Sequence, residues 1–541
     1  MSQNMYPSVS IGYFISPHGF GHAARAAAVI NAIYEKWPFI HADLFTTIPE
    51  WFFKDTLCAE FSYHQFASDI GMVQRSPLEV DLEATIARLE ETFPMAEKDL
   101  EALAARLQGL GCRLVISDIS PWGIAAAQKA ELPSMLIENF TWDWIYEAYL
   151  PQDRRLAFHM EYLNDIFSAA GHRIQAVPCC SPDPCACLET APIGRRPSAA
   201  RDEIRARLAL GDNESMVLIT MGGIPDTHRF IAELAAYGRD VHFVAPGSYP
   251  ELAAEGERRG NVTLLPHRSV YYHPDLVNAA DAVVGKAGYS TLAEVYYAGV
   301  PYGYVMRKNF RESDILESFI EKEMSGVPIP PAAFESGAWL EKLPELLTLG
   351  KRVPESLNGA EQAADYIRRL LAGRYELLEV VDVDGRVRGA APRREVHGNR
   401  EWLHRVVHVL VFDRHNRLLL QKRSMQKTVA PGKWDTSVGG HVDCGESIES
   451  AMFREMAEEL GIRQVKPEFA YQYIHSNVFE SELVFTYLCR FDEEPRFNRD
   501  EIDAVAFWEA SEIDAALGSG RLSDNFEHEF SLYRKWAAGG H

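Results

Sequence analysis

Three glutamates, Glu455, Glu458 and Glu459, stand at i, i+3 and i+4 in the run SIESAMFREMAEELG. On a helix that spacing brings all three carboxylates out on one side. Crowded carboxylates repel one another unless a divalent cation lies among them, and hard oxygen donors favour Mg2+ or Mn2+. Such an ion neutralises a diphosphate and lowers the pKa of a bound water, which are the two needs of attack at phosphorus. Upstream, Gly440 and Gly445 permit a tight loop whose backbone approaches the metal. The competing reading is a solvated acidic face, but it predicts neither Arg454 nor the positions of Gly440 and Glu446 before it.

The stretch from Gly440 to Ile462 fills every specified position of the pattern Gly-x5-Glu-x7-Arg-Glu-U-x-Glu-Glu-x-Gly-U, with Met456 at the first aliphatic U. It resembles the Nudix hydrolases. The resemblance implies a phosphoanhydride hydrolase in which Gly440, Glu455, Glu458 and Glu459 hold the metal and Arg454 pairs with Glu446. The flanks HGNREWLHRVVHVLVF and LLLQKRSMQKTVAPGKWDTSVGGH are similar to the branch containing isopentenyl-diphosphate isomerases. His397, His404 and His441 fall where that family places metal-binding histidines. Gly439 stands where the isomerases carry a catalytic cysteine, and Cys444 lies on the wrong side of His441. Hydrolysis is therefore expected over isomerisation, and the histidines are either ligands or structural. Glu501 is either a general base or a surface glutamate.

A second set of chemistry-bearing residues opens the chain. The first strand-like run ends in Ser16-Pro17-His18-Gly19-Phe20-Gly21-His22, before a helical pattern. Glycines such as Gly21 at a strand-to-helix turn let backbone N–H groups meet a phosphate or a sugar hydroxyl. His22 at the helix start is either a general base on an acceptor hydroxyl or a structural histidine. Further on, Met221-Gly222-Gly223 ends another strand, and the Gly285–Glu294 run reads as a glycine loop opening a helix. Gly288, Ser290 and Thr291 offer donors to a diphosphate, and Glu294 offers a carboxylate to ribose hydroxyls.

Together these stretches resemble GT-B glycosyltransferases, including the lipid-linked N-acetylglucosaminyltransferase group of peptidoglycan synthesis. HGFGHAAR, ENFTWDWIYEAY and GKAGYSTLAEVYYAGVPYGYVMRKNFRE are also similar to the glycosyltransferase-like N-terminal region of plant arabinokinases. The resemblance implies a nucleotide-sugar donor in the second half, with Gly222, Gly223, Ser290 and Thr291 at the diphosphate and Glu294 at the ribose. The acceptor, of unknown identity, would enter near His22, Asp118 and Asn139. The segment Arg307-Lys308-Asn309-Phe310-Arg311-Glu312 departs from the peptidoglycan-type pattern, so the sugar is not transferred with the resemblance. A module that binds a sugar nucleotide without transfer is the alternative. Trp142, Trp144, Tyr146 and Tyr149 read as core, with sugar stacking the other possibility.

The elements needed to position these residues follow from periodicity. Strand-like runs alternate with helical ones up to about residue 373, predicting α/β architecture with parallel sheets in two Rossmann-like halves, 1–192 and 193–373. From 374 to 541 short strands surround one marked helix, predicting an α+β domain with a mixed sheet. The whole chain has 541 residues, 47% hydrophobic and 24% charged, with room for several cores. Its net charge of −23 argues against nucleic acid as a partner. No signal peptide or integral membrane segment is expected, and the cytoplasm is the default compartment. Cys179, Cys180, Cys185 and Cys187 cluster as CCx4CxC, read as reduced thiols or, alternatively, as a metal or redox site.

Overall fold

The computed structural model describes residues 6–76, 79–211, 213–221, 230–238, 240–247, 249, 251–307, 310–427 and 429–539. It divides into two compact units. One is Ser10–Arg368, and the other joins the described residues up to Val9 to Arg369–His541. Gly222 and Gly223 lie outside the described residues.

The larger unit contains two seven-stranded sheets. In the first, strand β1 (Val9–Ile15) is central and pairs in parallel with β2 (Cys112–Asp118). Strands Ile40–Thr46 and Phe61–Gln65 extend the sheet on one side, and Ser134–Glu138, His172–Ala176 and Leu188–Thr190 on the other. In the second sheet β3 (Ser215–Thr220) occupies the same place, flanked in parallel by Val241–Pro246 and by β4 (Ala282–Lys286). Strand order therefore reverses between β1 and β2 and again between β3 and β4, the points where open α/β sheets leave a crevice at the carboxyl ends of their strands. The strands read as continuous apolar runs because helices cover both faces. Tyr13, Phe14, Ile15, Leu114, Val115 and Ile116 are fully buried, as are Val217, Leu218, Val283 and Val284. Two helices start beside the crevices: α1 (Phe20–Lys36) after β1, and α2 (Tyr289–Ala298) after β4. Gly19 enters α1 at φ 78°, a left-handed conformation suited to glycine. Trp142, Tyr146 and Tyr149 are buried in the first half, as their core reading requires.

The smaller unit is built on a nine-stranded mixed sheet. Its spine, β5 (Leu403–Phe412), pairs antiparallel with β6 (Val438–His441) and parallel with β7 (Ser481–Arg490). Helix α3 (Ile448–Leu460) covers one face and α4 (Asp524–Ala537) the other. The period of two along β5 sorts the core. Val407, Val409 and Val411 pack with Ala451, Met452 and Met456 of α3, whereas Leu410 packs with Phe526 and Phe530 of α4. Helix α3 is capped by the Ser447 side chain and ends on Gly461 at φ 69°. Residues up to Val9 belong here because Ala390 N–H donates to Pro7 O at 3.2 Å and Tyr6 packs on Leu378, Val380 and Ala391. No helix among the described residues is long and apolar enough to cross a membrane.

Candidate active sites

The β1–α1 turn carries His22 over the end of β2. Its Nδ1 lies 2.6 Å from Asp118 Oδ1. Asp118 is wholly buried and also accepts two bonds from Arg25, Nε to Oδ2 and Nη2 to Oδ1, each at 2.6 Å. Burial alone would push the Asp118 carboxyl up, but Arg25 and His22 outweigh it and hold it below its ordinary range. Arg25 Nη1 donates in turn to Asn139 Oδ1, and Asn139 Nδ2 donates to Ala176 O at 2.7 Å. Of the residues expected near an acceptor, Asp118 stands behind His22 and holds it, while Asn139 lines the same cavity and holds Arg25. The imidazole lines a cavity of about 320 Å3 between the two halves, along with His18, Phe140, Trp142, Lys286 and Arg307.

A second cavity, of about 730 Å3, shares Phe20, Gly21, Ser290 and Thr291 with the first. The N-terminus of α2, with Gly288 and the two hydroxyls, therefore lies where the two spaces meet, a place suited to a diphosphate. Glu294 lines the second cavity, but both of its oxygens are engaged: Arg195 Nε donates to Oε1 at 2.8 Å and His273 Nδ1 lies 2.7 Å from Oε2. Burial would raise the Glu294 carboxyl; Arg195 and His273 more than offset it and leave it below its ordinary value. Arg195 is itself stacked between Phe52 and Tyr272, with centroids 5.5 and 5.1 Å away. The carboxylate expected from sequence to face a ribose is thus part of an arginine–glutamate–histidine cluster.

In the smaller unit the loop between β6 and α3 is closed by Arg454. Its Nε and Nη2 donate to the two oxygens of Glu446 at 3.1 and 2.8 Å, and Nη2 also reaches His441 O at 2.9 Å. Nη1 donates to Glu455 at 2.6 Å and Glu458 at 3.4 Å. Glu459 is buried and accepts from Gly439 N–H at 3.1 Å and Gln421 Nε2 at 3.2 Å. Burial, and then the neighbouring Glu455, push its carboxyl up to about 8. Burial also raises Glu455, against the pull of Arg454. This crowding of oxygen donors fits a hard divalent cation, which would relieve the repulsion that raises both groups. Gly440 is required sterically, since a methyl there would overlap the Glu455 carboxyl. Glu501 is paired with Lys427 at 2.8 Å.

Strand β6 alternates, so His441 faces away from α3 and joins a second group. One donor atom from each of His397, His404, His441 and Glu480 lies within 4.8 Å of the others, the group of metal-ligand type found among the described residues. His397 Nε2 is 3.1 Å from His441 Nε2, and His397 Nδ1 is 3.3 Å from Glu480. Burial and the adjoining His397 lower His404 to about 3, and burial lowers His397 and His441 too, which favours the neutral form that a metal takes. Glu480 was missed in the sequence because it arrives from the start of β7, outside any local motif. Beside it Glu482 is buried, its carboxyl raised to about 7 by burial and by Glu480. The four clustered cysteines form no such group among the described residues. Cys180 Sγ contacts Tyr289 Oη at 3.0 Å, and all are free thiols.

Two family models match this chain: Glycosyl transferase family 1 over residues 9–335 and NUDIX domain over residues 402–526. The first covers more than half of the molecule. The chain belongs to glycosyl transferase family 1. It is a fusion, with a Nudix hydrolase domain following the glycosyltransferase region. L-arabinokinase of Arabidopsis thaliana is 26% identical over 379 residues, 67% of this chain and 34% of that protein. The chain thus spans about a third of that relative's length. Isopentenyl-diphosphate Delta-isomerase 2 of Photorhabdus laumondii is 34% identical over 131 residues, 24% of this chain and 73% of that protein. An uncharacterized Nudix hydrolase of Clostridium acetobutylicum is 33% identical over 180 residues, 29% of this chain and 85% of that protein.

The glycosyltransferase region has the GT-B arrangement of two Rossmann-like halves about a cleft, and both parts of the fusion are enzyme families. Its cleft collects Gly21, His22, Gly288, Ser290 and Thr291 from the sequence-based set. The Nudix domain collects Gly440, Glu446, Arg454, Glu455, Glu458 and Glu459 around one loop and helix.

Proposed function

We propose that this protein transfers a glycosyl group from a nucleotide sugar in its residue 1–373 region and hydrolyses a diphosphate-linked compound, with Mg2+ or Mn2+, in its 374–541 region. The observation that carries the first activity is the 2.6 Å contact between His22 Nδ1 and Asp118 on the cavity wall. With the Nδ1 proton donated to Asp118, Nε2 is left as the acceptor of a hydroxyl proton. As that proton moves to Nε2, the acceptor oxygen bonds to the anomeric carbon. The bond from that carbon to the diphosphate oxygen breaks, and a nucleoside diphosphate leaves against the N-terminus of α2. Single displacement inverts the anomeric centre.

In the Nudix domain, a divalent ion among Glu455, Glu458 and Glu459 would neutralise the diphosphate and acidify a water. Arg454 keeps the loop against α3, while Gly439 and Gln421 orient Glu459. The histidine group with Glu480 supports a second reading, isomerisation of an allylic diphosphate, against which Gly439 stands in the position of the missing thiol.

The test is a panel of nucleoside diphosphate sugars, dinucleotides, nucleoside triphosphates and prenyl diphosphates. Wild type is compared with His22→Ala and Glu459→Gln, with products separated by chromatography. Cleavage lost only in Glu459→Gln, with glycoside formation lost only in His22→Ala, is expected. Binding of a sugar nucleotide with no turnover under any acceptor would reduce the N-terminal part to a binding module. Proton exchange on isopentenyl diphosphate in deuterated water would favour the isomerase.

A further inference from the structure

One cation in the cleft has no counterpart. Lys286 ends β4 at the switch point and lines the His22 cavity, not the larger one that holds Glu294. Its backbone is fixed: Tyr302 Oη donates to Lys286 O at 2.8 Å, and Ala287 N–H donates to Val305 O at 3.0 Å. The other cationic side chains of the cavity are matched. Arg25 is held by Asp118, and Arg307 is paired with Glu312 while stacked on Phe310. Among the described residues Lys286 forms no ion pair or side-chain hydrogen bond; Glu312, the acid that acts on it, gives Oε1 to Arg307 and leaves Oε2 without a hydrogen bond. Burial, helped by Arg307, lowers its ammonium to about 7, and Glu312 offsets this only in part.

Lys286 shares the smaller cavity with His22 and Gly288 and does not line the larger one. The diphosphate site at Gly288–Thr291 lies where the cavities join, and the larger cavity leads away from it past Glu294, Arg195 and His273. What lies on the His22 side is the transferred sugar and the incoming hydroxyl. A neutral hexose offers only hydroxyls there and leaves the desolvated ammonium uncompensated, whereas a carboxylate on the sugar satisfies it.

We propose that the donor sugar carries a carboxylate, a nucleotide-linked uronic acid, and that Lys286 receives it with Arg307 beside it. This rests on the reading of the cleft as a nucleotide-sugar site. The test is calorimetric titration of the full chain, with a chelator present to silence the Nudix domain. The probes are UDP, UDP-glucose and UDP-glucuronate, and in parallel GDP, GDP-mannose and GDP-mannuronate. In wild type the uronate of one series binds about tenfold or more tighter than its hexose. Lys286→Met abolishes that preference and leaves the bare nucleotide unchanged, while Lys286→Arg keeps it. Equal affinity for hexose and uronate in wild type overturns the proposal. So does a Lys286→Met variant that weakens the bare diphosphate as much as the uronate, since the amine then reads phosphate. If no nucleotide or sugar nucleotide binds wild type, the cleft reading fails and the proposal with it.

Discussion

The imidazole of His22 is oriented by Asp118, which is held by Arg25 one helical turn on, and Arg25 in turn by Asn139. Asp118 stays ionised because Arg25 grips it twice, so it fixes the tautomer of His22 and stabilises the imidazolium formed on proton transfer. Replacing His22 by alanine is expected to slow glycosyl transfer by about 10² to 10⁴-fold with donor affinity kept. Initial rates beside donor titrations check this, and unchanged turnover would remove His22 from the mechanism. The product anomer, read by NMR, is expected to be opposite to the donor's. In the Nudix domain, Glu458→Gln and Glu459→Gln are each expected to lower hydrolysis at least a hundredfold, roughly the worth of a metal-held nucleophile. The carboxylates of α3 were legible in the sequence because they share one helix. His22 was legible only as a candidate, since its partner lies 96 residues away and no local pattern joins the two. Arg195 and His273, which occupy Glu294, were invisible for the same reason.

Strand β6 shows what one element does for two groups of residues. Gly440 turns toward Glu455 and α3, while Gly439 and His441 turn to the opposite face, beside His408 and His404. A Gly440→Ala substitution therefore forces the Glu455 carboxyl to move, and is expected to abolish hydrolysis while leaving the histidine group intact. Metal titration of the variant, followed by the histidine NMR signals, tests that separation. On the same face, buried His408 lies 3.0 Å from Glu529 of α4, which also accepts from Thr486 at 2.9 Å. Burial would lower the His408 imidazole, but Glu529 outweighs it and raises it to about 9. The folded value exceeds the unfolded one, about 6.5. The pair's contribution to stability is thus complete below pH ~6.5 and is lost as pH rises through ~9. The melting temperature of this unit is expected to fall over that window, and Glu529→Gln is expected to flatten the slope. Sequence periodicity identified β5 and α3. It left the faces of the sheet unassigned, because a period of two says which residues go together and not which helix they meet.

At the scale of the molecule, the βα rhythm up to residue 373 did foretell two parallel sheets, the second with an antiparallel edge strand it did not show, and the change of period near residue 375 foretold the mixed one. It did not foretell that Tyr6 and Pro7 pack with the C-terminal unit, since a Tyr-Pro segment carries no signal of its distant partner. Deleting residues 1–7 is expected to lower the melting transition of the Nudix unit by about 3 °C, the shift that roughly 1 kcal/mol produces in a domain of this size. The glycosyltransferase transition should not move. Differential scanning calorimetry distinguishes the two, and a shift in the wrong transition would reject the assignment.

That docking also sets an order of events. The ribosome releases Pro7 some 380 residues ahead of Gly389 and Ala390, the residues it rests on. The glycosyltransferase unit can complete its core while Tyr6 and Pro7 wait, and the Nudix unit closes later by retrieving them. A stall in translation before Leu378 thus leaves Tyr6 without the residues it packs on.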